Sequence, residues 1–258
     1  MGLHTIVCIK AVVVTAPAKS MIRAPEQLEL NPFDRPVLET AIRIREERGG
    51  TVTALSMGPE RCAVSLLEAR AMGVDRTVLL CDPALQGSDT LATSTVLGAA
   101  LKKLAPFDLI LFGTRSADSD TGQVGPQTSV LLNIPLVTGT RRIEWEEGGL
   151  VVERKADGFI EQFQMFLPAA LTIDPGCVQP RDVGLSGIQT AFEDSDVEMW
   201  GISDLGLSAE QVGWRGSATR VPSWRRVTRD RSCEFLSGTA GEQVDEIVDR
   251  LKASGVIG

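Results

Sequence analysis

The sequence has no tyrosine, a single histidine and five cysteines in 258 residues, so the usual catalytic acids, bases and nucleophiles are scarce. His4 opens an apolar run with no serine or cysteine motif beside it, which favours a structural role. The cysteines are scattered and form no CxxC pair, which argues against a disulfide framework or a zinc site and indicates a reducing, cytoplasmic location. Any redox or group-transfer chemistry is therefore expected to depend on a bound cofactor.

Long apolar runs and excess positive charge are also missing. The sequence contains no run of about 18 apolar residues, so it predicts no transmembrane helix. The first residues lack the basic and apolar regions of a signal peptide. The 26 basic and 34 acidic residues give a net charge of −8, which argues against nucleic acid as a partner. Residues 214–231 interleave arginine with tryptophan, as in some single-strand binders. The acidic balance instead favours arginines that pair with acidic groups on a partner subunit.

The first half of the chain alternates apolar, β-branched runs with amphipathic stretches. The predicted strands are Leu3–Ile9, Thr51–Met57, Arg76–Cys81 and Asp108–Phe112. Asn31 suits the N-cap and Pro32 the first position of a helix that ends at Gly49, and further helices are predicted over 60–72 and 89–105. Strands separated by helices of this length predict an α/β fold with a doubly wound, mostly parallel sheet.

The pattern changes after residue 135. Residues 141–146, 149–155 and 159–167 alternate with period two around glycine turns, which predicts an antiparallel hairpin extension. Residues 174–239 show no sustained period, so we expect an arm ordered by packing on another surface. Apolar residues at 244, 247, 248 and 251 predict a closing helix. The predicted domains are 1–190, which binds a nucleotide, and 191–258, an arm plus helix.

The stretch Gly113-Thr-Arg-Ser-Ala-Asp-Ser-Asp-Thr-Gly-Gln-Val-Gly-Pro126 follows a buried strand and precedes a helix. Its small polar residues allow backbone amides to approach a phosphate at the start of that helix. Asp118 or Asp120 could accept hydrogen bonds from ribose hydroxyls. The pattern matches neither GxGxxG nor GxxxxGK[ST], which weakens dehydrogenase and P-loop interpretations. A polar loop with no ligand is the alternative that the residues alone leave open.

Several blocks, in this order, resemble the β subunit of electron-transfer flavoproteins. The blocks are Ile6-Val-Cys-Ile-Lys10, Asn31-Pro-Phe-Asp34, Ala54-Leu-Ser-Met-Gly-Pro59, Ala69-Arg-Ala-Met-Gly-Val-Asp-Arg76, Ala117-Asp-Ser-Asp-Thr-Gly-Gln-Val-Gly-Pro126, Val152-Glu-Arg154, Leu167-Pro-Ala-Ala-Leu-Thr172, Gln179-Pro-Arg181, Gly187-Ile188, Gly216-Ser-Ala-Thr-Arg-Val221 and Lys252-Ala-Ser-Gly-Val-Ile257. The resemblance covers nearly the whole chain.

The resemblance implies an adenine-nucleotide α-hydrolase-like fold without hydrolase activity. It implies a heterodimer with an α subunit, FAD shared with that subunit, and AMP in the β pocket, with a second FAD as the alternative in electron-bifurcating forms. The chain would carry electrons between a flavin dehydrogenase and a downstream acceptor, and would meet a membrane only indirectly, through a quinone reductase, if at all. No catalytic residue and no metal site are implied.

The resemblance also assigns site residues. Those expected to bind the nucleotide are Cys8, Asn31, Pro32, Phe33, Asp34, Met57, Gly113, Thr114, Arg115, Ser116, Ala117, Asp118, Ser119, Asp120, Thr121, Gly122, Gln123 and Val124. Residues 177–190 resemble the loop that docks dehydrogenases, with Leu185 at the anchoring position; the alternative is that Leu185 caps the local core. The family's usual Gly-Lys-Gln is Gly113-Thr114-Arg115 here, and residues 192–198 are acidic where a basic run is common, which indicates a dedicated partner.

One alternative of another class is a stand-alone nucleotide-binding module of the universal-stress type. Such modules end after the sheet, whereas this chain continues into a long arm and a helix. A pyrophosphatase of the N type would need an SGGxDS-like loop after the first strand, and Ala11-Val-Val-Val14 occupies that position.

Overall fold

A computed structural model describes residues 2–13, 28–193, 196–221, 223 and 232–257. They belong to two compact units, Met1–Arg220 and Val221–Gly258. Much of the segment between residues 11 and 30, and the second tryptophan and most arginines of residues 214–231, lie outside the described residues. Within the described part, no helix combines the length and apolarity needed to cross a bilayer.

The strands are β1 Leu3–Ile9, β2 Ala11–Val13, β3 Leu28–Leu30, β4 Gly50–Met57, β5 Arg76–Leu80, β6 Leu109–Gly113, β7 Leu136–Glu146, β8 Gly149–Ala156, β9 Phe159–Met165, β10 Ala169–Ile173 and β11 Glu198–Trp200. The helices are α1 Arg35–Arg48, α2 Ala63–Met72, α3 Thr90–Leu104, α4 Val124–Leu132, α5 Leu185–Glu193, α6 Gly213–Gly216 and α7 Ala240–Ala253.

Nine of these strands form one sheet in the order β11-β5-β4-β1-β6-β10-β7-β8-β9, and β2 pairs with β3. The seven strands from β11 to β7 are parallel to their neighbours. Strand order reverses at β1, because β4 and β5 extend to one side of it and β6 lies on the other. This confirms the predicted α/β fold with a doubly wound, mostly parallel sheet.

The core lies on both faces of the sheet, because successive side chains of a strand point to opposite sides. In β1, Val7 and Ile9 pack with residues of α1 and α2, whereas Ile6 and Cys8 pack with residues of α3. Strands covered on both faces are apolar almost throughout, which is why their sequences read as continuous runs rather than alternating ones.

The antiparallel extension is also confirmed. Strands β7, β8 and β9 pair antiparallel in sequence order, and the turns between them fall at residues 147–148 and 157–158, as the glycine-containing junctions predict. Strand β10 then returns to the core and pairs in parallel with both β6 and β7.

The arm after residue 190 is divided between the two units. Strand β11 adds to the sheet beside β5, and Val212 is fully buried, so residues 196–220 pack on this chain's own sheet. The first unit extends to Arg220, whereas the sequence suggests a boundary at 190. The sequence does not reveal residues 196–220 as part of this unit because a three-residue strand and short turns have no hydrophobic period. The second unit contains α7, the predicted closing helix.

Candidate functional site

The candidate nucleotide site lies where the strand order reverses. Strands β1 and β6 are parallel neighbours, with Cys8 opposite Phe112, so Lys10 after β1 and Gly113 at the end of β6 meet at one edge of the sheet. Ligands of open α/β sheets bind at this kind of crevice, beyond the carboxyl ends of the strands. The structure therefore places the predicted loop at the expected position in the fold.

The loop over residues 113–123 connects β6 to α4. Its main chain turns through Asp120 and Gly122, which have φ values of 52° and 62°, and the Asp120 amide donates to the Ser116 carbonyl at 2.9 Å. Residues 119–123 are exposed. Helix α4 begins at Val124 with Gln123 at its N-cap, so the loop leads directly into the helix start, as predicted.

Asn31 fastens this loop to the segment before α1. Its side-chain amide donates to the Arg115 carbonyl at 2.9 Å, and its oxygen accepts from the Ala117 amide at 3.1 Å. The prediction that Asn31 caps α1 is wrong. The helix begins at Arg35 with Asp34 at the N-cap, and Pro32 lies in the preceding turn, because the buried Asn31 side chain is used by the loop instead.

Asp34 lies beneath the loop and is buried. It accepts hydrogen bonds from the Lys10 amide at 2.8 Å and the Asn31 side chain at 2.9 Å. Burial outweighs these two donors and raises the pKa of Asp34 to about 7. A Cβ on Gly113 would lie 2.3 Å from the Asp34 carboxylate, so only glycine fits where β6 passes this side chain.

Two cations lie at the site, each beside a carboxylate. The Lys10 ammonium is 2.7 Å from Asp118 and 3.0 Å from the Ser119 hydroxyl. Arg115 is 3.3 Å from Asp120 and stacks 4.7 Å above the Phe33 ring. Lys10 is not among the residues that the sequence predicts to bind the nucleotide, although its position directly after the first strand was a usable signal. The Asp120 side chain is 64% exposed and the Asp118 side chain 6%, so Asp120 is the more accessible candidate for a ribose contact.

Cys8 and Met57 lie near the carboxyl ends of two neighbouring parallel strands, β1 and β4. Cys8 is buried, and burial together with the nearby Asp34 charge raises the pKa of its thiol, so this cysteine is protonated and acts in packing. Met57 ends β4, the strand next to β1, and packs beside the same core cluster. The fold thus brings the predicted residues from β1, β4, the turn before α1 and the loop after β6 to one edge of the sheet.

The predicted docking loop contains a helix, α5, that begins at Leu185. A Cβ on Gly187 would lie 2.1 Å from the Ala71 carbonyl of α2, so this helix packs closely through its small residues. Its other side exposes Leu185, Ile188 and Phe192, at 87%, 41% and 81%, a set we call the α5 apolar face. Leu185 therefore does not cap the local core.

Comparison with known proteins decides the family. A family described as "Electron transfer flavoprotein domain" matches residues 20–196. The chain belongs to the electron transfer flavoprotein family. It is 38% identical over 239 residues to the electron transfer flavoprotein subunit beta of Thermoanaerobacterium thermosaccharolyticum, covering 93% of this chain and 92% of the relative.

Two further relatives are subunits of named complexes. The chain is 35% identical over 263 residues to the caffeyl-CoA reductase-Etf complex subunit CarD of Acetobacterium woodii, covering 99% of this chain and all of the relative. It is 34% identical over 266 residues to the acryloyl-CoA reductase electron transfer subunit gamma of Anaerotignum propionicum, covering 97% and 98%. These relatives support an electron-transfer role for this electron transfer flavoprotein chain and do not favour the universal-stress alternative.

Proposed function

We propose that this chain is the β subunit of a heterodimeric electron transfer flavoprotein that carries electrons between a flavin dehydrogenase and a downstream acceptor. The electrons would be held by FAD shared with an α subunit, and this chain would supply a nucleotide pocket, a bracing surface and a docking surface. The observation that supports the pocket most directly is the loop over 113–123, fastened by Asn31 at the point where strand order reverses.

The residues at the site suit an adenine nucleotide phosphate. The Lys10 ammonium, the Ser116 and Ser119 hydroxyls and the amides leading into α4 are donors. Because each nearby cation is paired with a carboxylate, recognition would rest on fixed hydrogen-bond donors rather than on a strongly positive field. We propose AMP as the nucleotide, with a second FAD as the alternative, because both contain an adenylate. A second FAD would make the chain part of an electron-bifurcating complex.

Analysis of the bound nucleotides tests this assignment. The chain is co-expressed with its α subunit, purified and denatured, and the released nucleotides are separated by chromatography. We expect a yellow heterodimer that releases one FAD and one AMP, and two FAD per heterodimer would establish the alternative. A colourless, stable monomer that carries no nucleotide would contradict the proposal.

A glycine substitution tests whether the loop holds the nucleotide. Gly113→Ala forces a Cβ against Asp34, so we expect the β-pocket nucleotide to fall to less than about a tenth of the wild-type content. Gly98→Ala is the control. Gly98 lies inside helix α3, and a Cβ at this position would meet only the Leu131 Cβ of α4, at 4.0 Å. Equal nucleotide content in both variants would show that the pocket lies elsewhere.

We also propose that the α5 apolar face docks the partner dehydrogenase. Large apolar side chains that are this exposed are typical anchors of protein interfaces. The acidic residues that follow would favour a partner whose docking groove has a basic rim. The chain's five cysteines, none of which forms a disulfide, suit a reducing cytoplasm, and membrane contact would occur only through a quinone reductase, if at all.

Leu185→Ala tests the docking proposal. We expect slower reduction by the cognate dehydrogenase with unchanged cofactor content, because Leu185 is 87% exposed on α5, which supplies none of the residues of the candidate nucleotide site. Flavin dehydrogenases of the source organism, purified and assayed one at a time, identify the cognate enzyme. Val130→Ala is the control, since Val130 is also exposed, at 78%, but lies on helix α4. Equal kinetics for both variants and wild type would exclude α5 as the docking surface.

A further inference from the structure

The segment that carries α5 is fastened to the rest of the fold through Arg181. Residues 174–184 lie between β10 and α5 and form neither strand nor helix. The main-chain amide and the Nε of Arg181 both donate to one Glu39 oxygen, at 3.1 and 2.8 Å. The two terminal nitrogens donate to the two Glu46 oxygens at 2.8 and 3.0 Å. One side chain therefore connects the segment to two positions of α1.

The two glutamates form a receptor for a guanidinium. Glu39 and Glu46 are seven residues apart on α1, two helical turns, so they lie on one face of the helix. The Glu39 side chain is only 1% exposed and also accepts from Arg43 at 2.6 Å. A buried carboxylate is costly unless it is paired and hydrogen-bonded. Burial opposes its ionisation, yet the bonds from Arg181 and Arg43 keep the pKa of Glu39 below its usual value.

We propose that Arg181 is the positioning residue of the docking helix. By holding residues 174–184 on α1, it fixes the orientation in which α5 presents its apolar face, so that the face is ordered before a partner arrives. Ordering a surface in advance removes part of the entropic cost of binding. This inference rests on the proposed docking function of α5, and the experiment below separates the two.

The guanidinium is required because one flat group donates to both glutamates. Lysine has a single ammonium and lacks the planar fork that holds two carboxylates at once. Arg181→Lys should therefore restore only part of what Arg181→Gln removes. Glu46→Gln weakens the more exposed of the two ion pairs of Arg181 and leaves the buried pair with Glu39 in place. The variant should therefore fold normally and have an intermediate effect.

The test measures amide hydrogen exchange and kinetics on the purified heterodimer. For Arg181→Gln we expect exchange over residues 182–193 at least tenfold faster than in wild type. With the heterodimer as the substrate of its cognate dehydrogenase, the KM should rise about tenfold relative to wild type, while kcat should stay within twofold of the wild-type value. Arg76→Gln is the matched control: Arg76 makes a similar two-pronged contact to Glu198, at 2.7 and 2.8 Å, on edge strand β11. It should change neither quantity.

The outcomes separate the two ideas. Faster exchange and a raised KM in Arg181→Gln, partly restored in Arg181→Lys, support the proposal. Unchanged exchange over 182–193 overturns it whatever the kinetics. Faster exchange with an unchanged KM, when Leu185→Ala does raise KM, also overturns it and leaves the docking function standing. If neither variant alters KM, the docking function itself fails, and the positioning role fails with it.

Discussion

Helices α1 and α7 are both 14 residues long, yet different interactions hold them. Eight residues of α1 are buried, among them Leu38 and the charged Glu39. In α7, none of the residues that the structure describes is buried, although Val244, Ile247 and Leu251 recur at helical spacing. The apolar period alone would suggest that α7 is the better buried of the two helices.

The difference shows that an amphipathic pattern predicts a helix without predicting the surface that covers it. Helix α1 gains its stability from tertiary packing. Asp34, at its N-cap, lies in the candidate nucleotide site, and Glu39 and Glu46 within the helix bind Arg181 before the α5 docking helix. Helix α7 is held by local interactions, a capping box between Thr239 and Glu242 and ion pairs of Arg250. Because isolated helices of this length are marginal in water, we propose that α7 is completed by the α subunit.

The comparison is tested most strongly by removing a large apolar side chain from each helix. Leu38 is fully buried, so Leu38→Ala should lower the free energy of unfolding by about 4 kcal/mol through lost burial and a residual cavity. Val244 is 57% exposed, so Val244→Ala should cost less than about 0.5 kcal/mol in the isolated chain. Urea unfolding followed by tryptophan fluorescence measures both. Equal losses would show that the two helices are stabilised alike.

Much of the first unit could be predicted from the sequence because its elements are periodic. The continuous apolar strands and the alternating hairpins of this unit fall where the residue patterns place them, as does the closing helix in the second unit. Helix α5 and strand β11 were not predicted. Glycine at position 187 weakens the helical signal because glycine has low helix propensity, and a three-residue strand has no period to detect.

The candidate site was predictable in position but not in detail. The loop after β6 follows from the polar run at the end of an apolar strand. The sequence suggested a helix cap at Asn31, because asparagine before proline is typical of one; the competing use of its side chain by residues 115 and 117 depends on the tertiary fold. Arg181 was likewise hidden, since its partners on α1 are more than 130 residues away in sequence.

A second prediction concerns Asp34 at the start of α1 and the dependence of stability on pH. The pKa of Asp34 is about 7 in the folded protein against an ordinary value of 3.8, so between these pH values the folded protein keeps a proton that the unfolded chain has lost. The stability that Asp34 contributes should therefore be fully present below about pH 4 and be lost as pH rises to about 7, with a slope of at most about 1.4 kcal/mol per pH unit. Asp34→Asn should remove this slope, as measured by urea unfolding at several pH values.

The control for this prediction is Asp249→Asn, in α7, because that carboxyl is exposed. It should keep the wild-type slope between pH 4 and 7. The comparison uses slopes rather than absolute stabilities, since an asparagine at position 34 offers only one oxygen to the Lys10 amide and the Asn31 side chain. A wild-type slope that persists in Asp34→Asn would assign it to other groups.

A smaller effect than that of Leu38→Ala is expected at the cap of α7. The Thr239 hydroxyl accepts from the Glu242 amide while the Glu242 carboxylate accepts from the Thr239 amide at 2.8 Å, which satisfies two donors at the helix start. Thr239→Ala should destabilise the helix by about 1 kcal/mol, so the amides of residues 243–250 should exchange roughly fivefold faster in the isolated chain, while Thr239→Ser keeps the cap. In the heterodimer the same variant should have a much smaller effect, because packing on the α subunit would then hold the helix. An undiminished effect in the heterodimer would mean that α7 remains a locally stabilised helix and that the α subunit does not cover it.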